Sequence, residues 1–146
     1  MLDIVAEAGL PSACLELEVT EQVFQEGRPG TAPAGLIGLA ETGVSLALDG
    51  FGRGWASLKG LTHLPIRRVK FDPTFIAESV DDPNHRVVVE ALIELAHRLD
   101  LKVLGTGVET ETQRHALARL GFDEAQGYWI APPLVASELT GLLRQL

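Results

Sequence analysis

The sequence predicts an α/β fold built on a parallel sheet of about five strands, each followed by a helix. Three observations carry this. Short apolar or alternating runs end near Glu18, Asp49, Lys70, Thr106 and Gln126, at intervals that fit a strand, a loop and a helix taken together. The stretches between them place apolar residues three and four apart, the period of a helix buried on one side. Glycine and proline punctuate the boundaries. With 146 residues and 46% hydrophobic content, the chain reads as one domain, 1–146, large enough to bury a core.

Leu2 to Ala8 read as the tail of a helix stopped by Gly9 and Pro11, which predicts further chain before it. Cys14 to Thr20 alternates, with Leu15, Leu17 and Val19 on one face and Glu16, Glu18 and Thr20 on the other. Two carboxylates on one face are costly if that face is covered, unless a cation or hydrogen-bond donors compensate them. The segment 27–33 is a Gly/Pro loop, and Ala34 to Thr42 a short helix ended by Gly43. Ser45 to Asp49 is the central strand, with Asp49 at its end. After a glycine turn, Trp55, Leu58, Leu61 and Leu64 mark a helix closed by Pro65.

Arg68 to Asp72 is the next strand. Asp82-Pro83 then opens a long helix to Leu99, with Val88, Ala91, Leu92, Leu95 and Leu99 expected on its buried face. Leu101 to Gly105 is a strand, and Thr110 to Gln113 has the form of a capping box for a helix that Gly121 ends. Glu124 to Ile130 is the last short strand, and Ser137 is the expected cap of a terminal helix.

Composition narrows the function. The chain has 12 basic and 20 acidic residues, a formal charge of -8, which opposes nonspecific binding to nucleic acid or to an anionic membrane. One cysteine, Cys14, excludes an intramolecular disulfide and is expected to be a small buried hydrophobe. No apolar run reaches the ~18 residues of a membrane span, and the start of the chain lacks the basic residues of a secretory signal. The expectation is a soluble, cytoplasmic protein.

Glu18, Glu21, Asp49, Lys70, Asp72, Glu109 and Gln126 fall at or just after the C-terminal ends of strands, where β/α folds place active sites. Carboxylates with one lysine and no paired histidines point to hard divalent cations such as Mg²⁺ or Mn²⁺ with a phosphate ligand. His63, His85, His97 and His115 lack ligand spacing and are expected at the surface, and Trp55 and Trp129 in the core. Plainer readings stand beside the functional ones. Lys70 could simply pair with Glu18 or Asp49, and Glu109 could simply favour the start of a helix.

Five segments, in this order, carry a resemblance. They are Leu15-Glu-Leu-Glu-Val-Thr-Glu21, Ala47-Leu-Asp-Gly-Phe-Gly-Arg-Gly-Trp-Ala-Ser-Leu58, Leu64-Pro-Ile-Arg-Arg-Val-Lys-Phe-Asp72, Gly107-Val-Glu-Thr-Glu-Thr-Gln113 and Gln126-Gly-Tyr128. Together they resemble the EAL-domain family of cyclic di-GMP phosphodiesterases. The resemblance implies a TIM-like barrel whose two-metal site hydrolyses cyclic di-GMP to linear pGpG. It covers strands four to eight of that barrel. The chain would then be an incomplete (β/α) barrel, without the Glu-Ala-Leu signature, an arginine that holds the dinucleotide, and an asparagine metal ligand. By the same resemblance Glu18 and Asp49 match metal ligands, and Glu21 the glutamate that steadies the loop after Asp49. Lys70 matches the lysine near the attacking water, and Glu109 and Gln126 match further site positions. Phe51, Arg53 and Tyr128 could line a nucleotide cleft.

Two positions depart from the family pattern. Gly50 stands where the family has a second aspartate, and Thr106 where it has the first glutamate of Glu-Gly-Val-Glu. Glycine cannot ligate a cation, and a neutral hydroxyl is a weak base. A metal held by Glu18 and Asp49 alone would be mostly water-coordinated, so no tightly bound cofactor is expected, only weak Mg²⁺ or Mn²⁺. The favoured reading is a degenerate, noncatalytic domain of cyclic di-GMP signalling that acts as a regulatory or protein-interaction module. The alternatives are a noncatalytic cyclic di-GMP receptor and a phosphodiesterase completed by another chain. Five β/α units cannot close an eight-strand barrel, so the first strand should present an open edge. A homodimer, or an N-terminal barrel segment from another chain, would cover it.

Overall fold

The computed structural model describes residues 2–20, 34–52, 61–62 and 64–144, except for the side chains of 79–81. The loop 27–33, most of the expected helix Trp55 to Leu64, His63, and the candidate residues Glu21 and Arg53 lie outside the described residues.

Five strands form one sheet in chain order: β1 (Glu16–Thr20), β2 (Ser45–Phe51), β3 (Arg68–Phe71), β4 (Lys102–Gly105) and β5 (Glu124–Ala125). All neighbouring pairs are parallel. Parallel neighbours need crossovers, and an order that never reverses is that of a β/α barrel rather than of a doubly wound sheet. The helices are α1 (Leu2–Glu7), α2 (Ala34–Glu41), α3 (Pro73–Asp81), α4 (Pro83–Arg98), α5 (Glu111–Leu120) and α6 (Ala136–Leu143). None of those described is long and apolar enough to cross a membrane.

One face of the sheet makes the core. Val19, Leu48, Val69, Phe71 and Val103 pack there with Val89, Ile93 and Ala96 of α4. Phe71 is fully buried at its centre. The rings of Phe51 and Phe122 stand edge-on to it at 5.1 and 5.2 Å. The other face carries the polar residues of the same strands, as the twofold period of a strand requires.

Several elements differ from expectation for identifiable reasons. Helix α3 was not foreseen. Asp72, taken as the end of a strand, caps this helix by accepting from Thr74 N at 2.9 Å, with Pro73 in the first turn. The cap of α4 repeats the device, Asp82 accepting from Asn84 N at 2.8 Å. The buried stripe of α4 is Val89, Ile93 and Ala96, with Leu92 partly buried, while Val88, Leu95 and Leu99 face outward. Two apolar stripes are interleaved on this helix. Its own His85, half-buried rather than superficial, packs against α3. The His85 ring stands edge-on to Phe75 at 4.5 Å, and its Nε2 lies 2.9 Å from the Phe75 carbonyl oxygen.

Strand β2 runs two residues past Asp49, and β5 stops at Ala125 rather than Ile130. Cys14 lies in a 3₁₀ turn, Ser12–Cys14, ahead of β1 and is exposed rather than buried. Trp129 is 41% exposed rather than in the core, and the Arg114 guanidinium lies over its ring at 5.0 Å. Val135, not Ser137, is the N-cap of α6. A valine side chain has no acceptor, so the polar contact is made by the Glu138 carboxylate, which accepts from Val135 N at 3.2 Å. The capping box of α5 forms as expected, and Gly121 ends that helix at φ 94°.

The join between β4 and β5 yields a pH prediction. The Asp123 carboxylate accepts from Val103 N at 2.8 Å and from Lys102 Nζ at 3.1 Å, and lies 3.0 Å from His97 Nε2. Burial opposes its charge, but the Val103, His97 and Lys102 contacts outweigh burial and hold its pKa below the ordinary value of 3.8. A carboxylate whose pKa is lowered by folding contributes stability that is complete above the ordinary value. That contribution fades as the pH falls through the folded value. Asp123→Asn should therefore cost about 1 kcal/mol at neutral pH, with the gap from the parent chain narrowing below pH ~4. Urea unfolding at a series of pH values measures this, and a gap independent of pH would contradict it.

Candidate functional site

The polar face is organised by β3. Arg68 and Lys70 lie two residues apart and so point the same way. Each reaches across β2 to a carboxylate on β1. Arg68 Nη1 binds Glu16, and Lys70 Nζ lies 2.5 Å from Glu18 Oε1. Arg68 also reaches the opposite way. Its Nη2 donates to Glu124 Oε1 at 3.0 Å, and its Nε lies 2.9 Å from Glu124 Oε2, close but poorly aligned for a hydrogen bond. One guanidinium thus ties the first, third and fifth strands together. Burial opposes its charge, but its hydrogen bonds and charge pairing with Glu16 and Glu124 prevail and raise its pKa.

β2 lets these long side chains cross. Ala47 is the register partner of both Glu18 and Arg68, and its methyl group is small. Further on, Leu48 pairs with Val69 and Phe51 with Phe71, so Asp49 and Gly50 together stand opposite Lys70 alone. This is a β-bulge, two residues against one. Gly50 takes φ 70°, in the left-handed region, and among the described residues a Cβ there would meet nothing within 4 Å. Where the resemblance places a second carboxylate, this chain therefore has no side-chain donor. The Thr106 hydroxyl is also committed, donating to the Phe71 carbonyl oxygen at 2.8 Å.

The remaining candidates do not join one cluster. Phe51 is 1% exposed and packs in the core, so its ring is not open to a ligand on the polar face. Glu109 is exposed ahead of α5, and its backbone N–H donates to Gln113 Oε1 at 2.7 Å. Gln126 is exposed just past β5, and Tyr128 is 65% exposed beyond it. The backbones around Gln126 are tightly joined. Gln126 N donates to Gly105 O at 2.9 Å, and Val108 N donates to Gln126 O at 3.0 Å. Glu16, Arg68 and Glu124 were not read as site residues. The signal was present, since two acidic residues on one strand and two basic residues on another share the same parity.

The donors among the described residues do not fit a pair of divalent cations. Lys70 neutralises Glu18, Gly50 offers nothing and Thr106 is turned to a carbonyl. Among the described residues no three His, Cys, Asp or Glu side chains are placed to hold a metal ion together.

Comparison with known proteins identifies the family. The profile of the EAL domain matches residues 1–133. Cyclic di-GMP phosphodiesterase NbdA of Pseudomonas aeruginosa is 38% identical over 138 residues, 94% of this chain and 18% of that protein. The MucR phosphodiesterase of the same organism, solved in complex with c-di-GMP, superposes with a TM-score of 0.80. Its identity is 33%, and the match covers 94% of this chain and 56% of that one. BlrP1 of Klebsiella pneumoniae, solved with manganese and cyclic di-GMP, is 26% identical at a TM-score of 0.75, over 87% of this chain and 32% of that one. The chain therefore spans only part of the length of each relative. The strand order, the ordered motifs and the match over residues 1–133 agree, and the chain belongs to the EAL domain family.

Proposed function

We propose that this chain is a noncatalytic EAL module of cyclic di-GMP signalling, cytoplasmic, which acts through contacts with other protein rather than by hydrolysis. The observation that carries the reading is the bulge at Asp49-Gly50. Hydrolysis by two metals needs carboxylates to hold both cations around the water and the scissile phosphate. Here the second carboxylate is replaced by a glycine opposite Lys70. Weak Mg²⁺ or Mn²⁺ binding at Asp49 remains compatible with this reading, because one carboxylate and water ligands hold such ions loosely.

The surface through which the module would act is its open sheet. Among the described residues β1 pairs only with β2, and β5 only with β4. A second copy of the chain, or a barrel segment supplied by another chain, would satisfy the backbone groups of β1. A receptor role is the second reading. It draws on exposed Tyr128 beside Gln126 at the C-terminal end of the sheet, where β/α folds bind ligands.

The test is incubation of the purified chain with cyclic di-GMP and millimolar Mn²⁺ or Mg²⁺, with chromatography for pGpG. No product above a metal-only blank is expected. Turnover that Asp49→Ala abolishes would overturn the noncatalytic reading. Calorimetry with the same nucleotide separates the two noncatalytic roles, since micromolar binding would favour the receptor.

A further inference from the structure

The side chain of Lys70 is 7% exposed, and its ammonium lies 2.5 Å from the Glu18 carboxylate. The family resemblance assigns this lysine a place near an attacking water and gives Glu18 to a metal. The geometry points to a different role. We propose that Lys70 is the resident counter-cation of the polar face, occupying Glu18 in place of a divalent ion. This rests on the reading that the two-metal centre is lost, and it adds what has replaced that centre.

Three features support the role. First, the pairing is built twice. Arg68 binds Glu16 in the same way one step along the strand, so β3 as a whole supplies the positive charge that β1 requires. Second, the path is open. Lys70 crosses β2 at the bulge, where Gly50 adds no side chain. Third, a tethered cation competes well with a free one. Its effective concentration beside Glu18 is of the order of millimolar or higher. A divalent ion entering the pair would also face the repulsion of a fixed positive charge held by a buried side chain, although water reaches the half-exposed Glu18 carboxylate and screens part of it.

The experiment is thermal unfolding of the whole chain in EDTA and in graded Mn²⁺, for the parent chain, Lys70→Met, and Lys70→Met combined with Glu18→Gln. Mn²⁺ should move the parent midpoint only as far as weak binding at Asp49 allows, and far less than that of Lys70→Met. Lys70→Met should unfold at a lower temperature in EDTA, because Glu18 has lost its counter-charge. Mn²⁺ should then raise its midpoint, at a half-saturating concentration at least about tenfold below any response of the parent, as removal of one repulsive charge implies. Monovalent salt at matched ionic strength should not substitute. The double variant should recover stability in EDTA and lose the Mn²⁺ response.

A parent midpoint that rises with Mn²⁺ as steeply as that of Lys70→Met would overturn the proposal. So would a folded Lys70→Met that ignores Mn²⁺. If Lys70→Met does not fold in EDTA, the parent titration and the double variant still decide. Recovery of folding in the double variant supports the pair, and continued misfolding overturns it. Failure here is distinct from failure of the functional reading. A Mn²⁺ response as steep as that of Lys70→Met in a parent chain without turnover removes only the role of Lys70, whereas turnover removes the noncatalytic reading itself.

Discussion

Among the described glycines, Gly127→Ala is expected to be the most damaging single-methyl addition, lowering stability by about 3–5 kcal/mol. A Cβ at this position would lie 2.2 Å from the Val108 carbonyl oxygen and 2.3 Å from Val108 N. Both are backbone atoms, so no rotamer change relieves the overlap. The loops leaving β4 and β5 would have to part, which would break the bonds from Val108 N to Gln126 O and from Trp129 N to Val108 O, now 3.0 and 2.9 Å. Two lost hydrogen bonds and the overpacking together give the stated range. Because β5 is only two residues long and lies at the edge, its pairing with β4 should be lost first. Hydrogen exchange at Gln126 N and Val108 N, together with urea unfolding, measures both effects. Normal protection at these amides in a folded Gly127→Ala chain would show that the contact is less rigid than its distances imply.

That glycine illustrates what a sequence can and cannot disclose. Gln126-Gly-Tyr128 was legible as a motif, because motifs are strings of residues. The reason for its glycine was not, since the clashing partner is the backbone of Val108, which no side-chain pattern reports. The strand order was legible for a related reason. Strand, loop and helix repeat along the chain, and parallel neighbours are then close to obligatory. The phase of α4 was not, because Val88 and Val89 both belong to helical stripes and the choice depends on Phe75 and His85. Helix α3 was readable in principle. Asp72-Pro73 has the same form as Asp82-Pro83, and it was overlooked because a strand ends there.

The candidate site divides along the same line. Glu18, Asp49 and Lys70 stand out in the sequence by their positions at strand ends. That Lys70 pairs with Glu18 was one of two pairings open in the sequence, Asp49 being the other, and the structure shows the pairing with Glu18. The bulge at Asp49-Gly50, which shifts the register by one residue, was not legible. A register set by a left-handed glycine is invisible to alternation, since alternation assumes that no residue is extra.

Arg68 offers the second large effect, and it tests whether the polar face is organised by charge. Arg68→Met keeps most of the aliphatic stem that lies over β2 and removes the cation, leaving Glu16 and Glu124 without their shared partner. Removing one member of a fully buried ion pair costs about 3–5 kcal/mol. The side chains of Arg68 and Glu16 are each 26% exposed, so water compensates part of this, and about 2–3 kcal/mol is expected. Arg68→Lys should recover only part, since a lysine has one ammonium to offer two carboxylates on opposite sides. Removing all three charges, Arg68→Met with Glu16→Gln and Glu124→Gln, should return to within about 1 kcal/mol of the parent, because nothing charged is then left unpaired. Urea unfolding of the four chains completes the comparison. If the triple variant is as unstable as Arg68→Met alone, the loss comes from packing of the arginine stem. If it recovers while Arg68→Met does not, the first, third and fifth strands are held together by one shared charge.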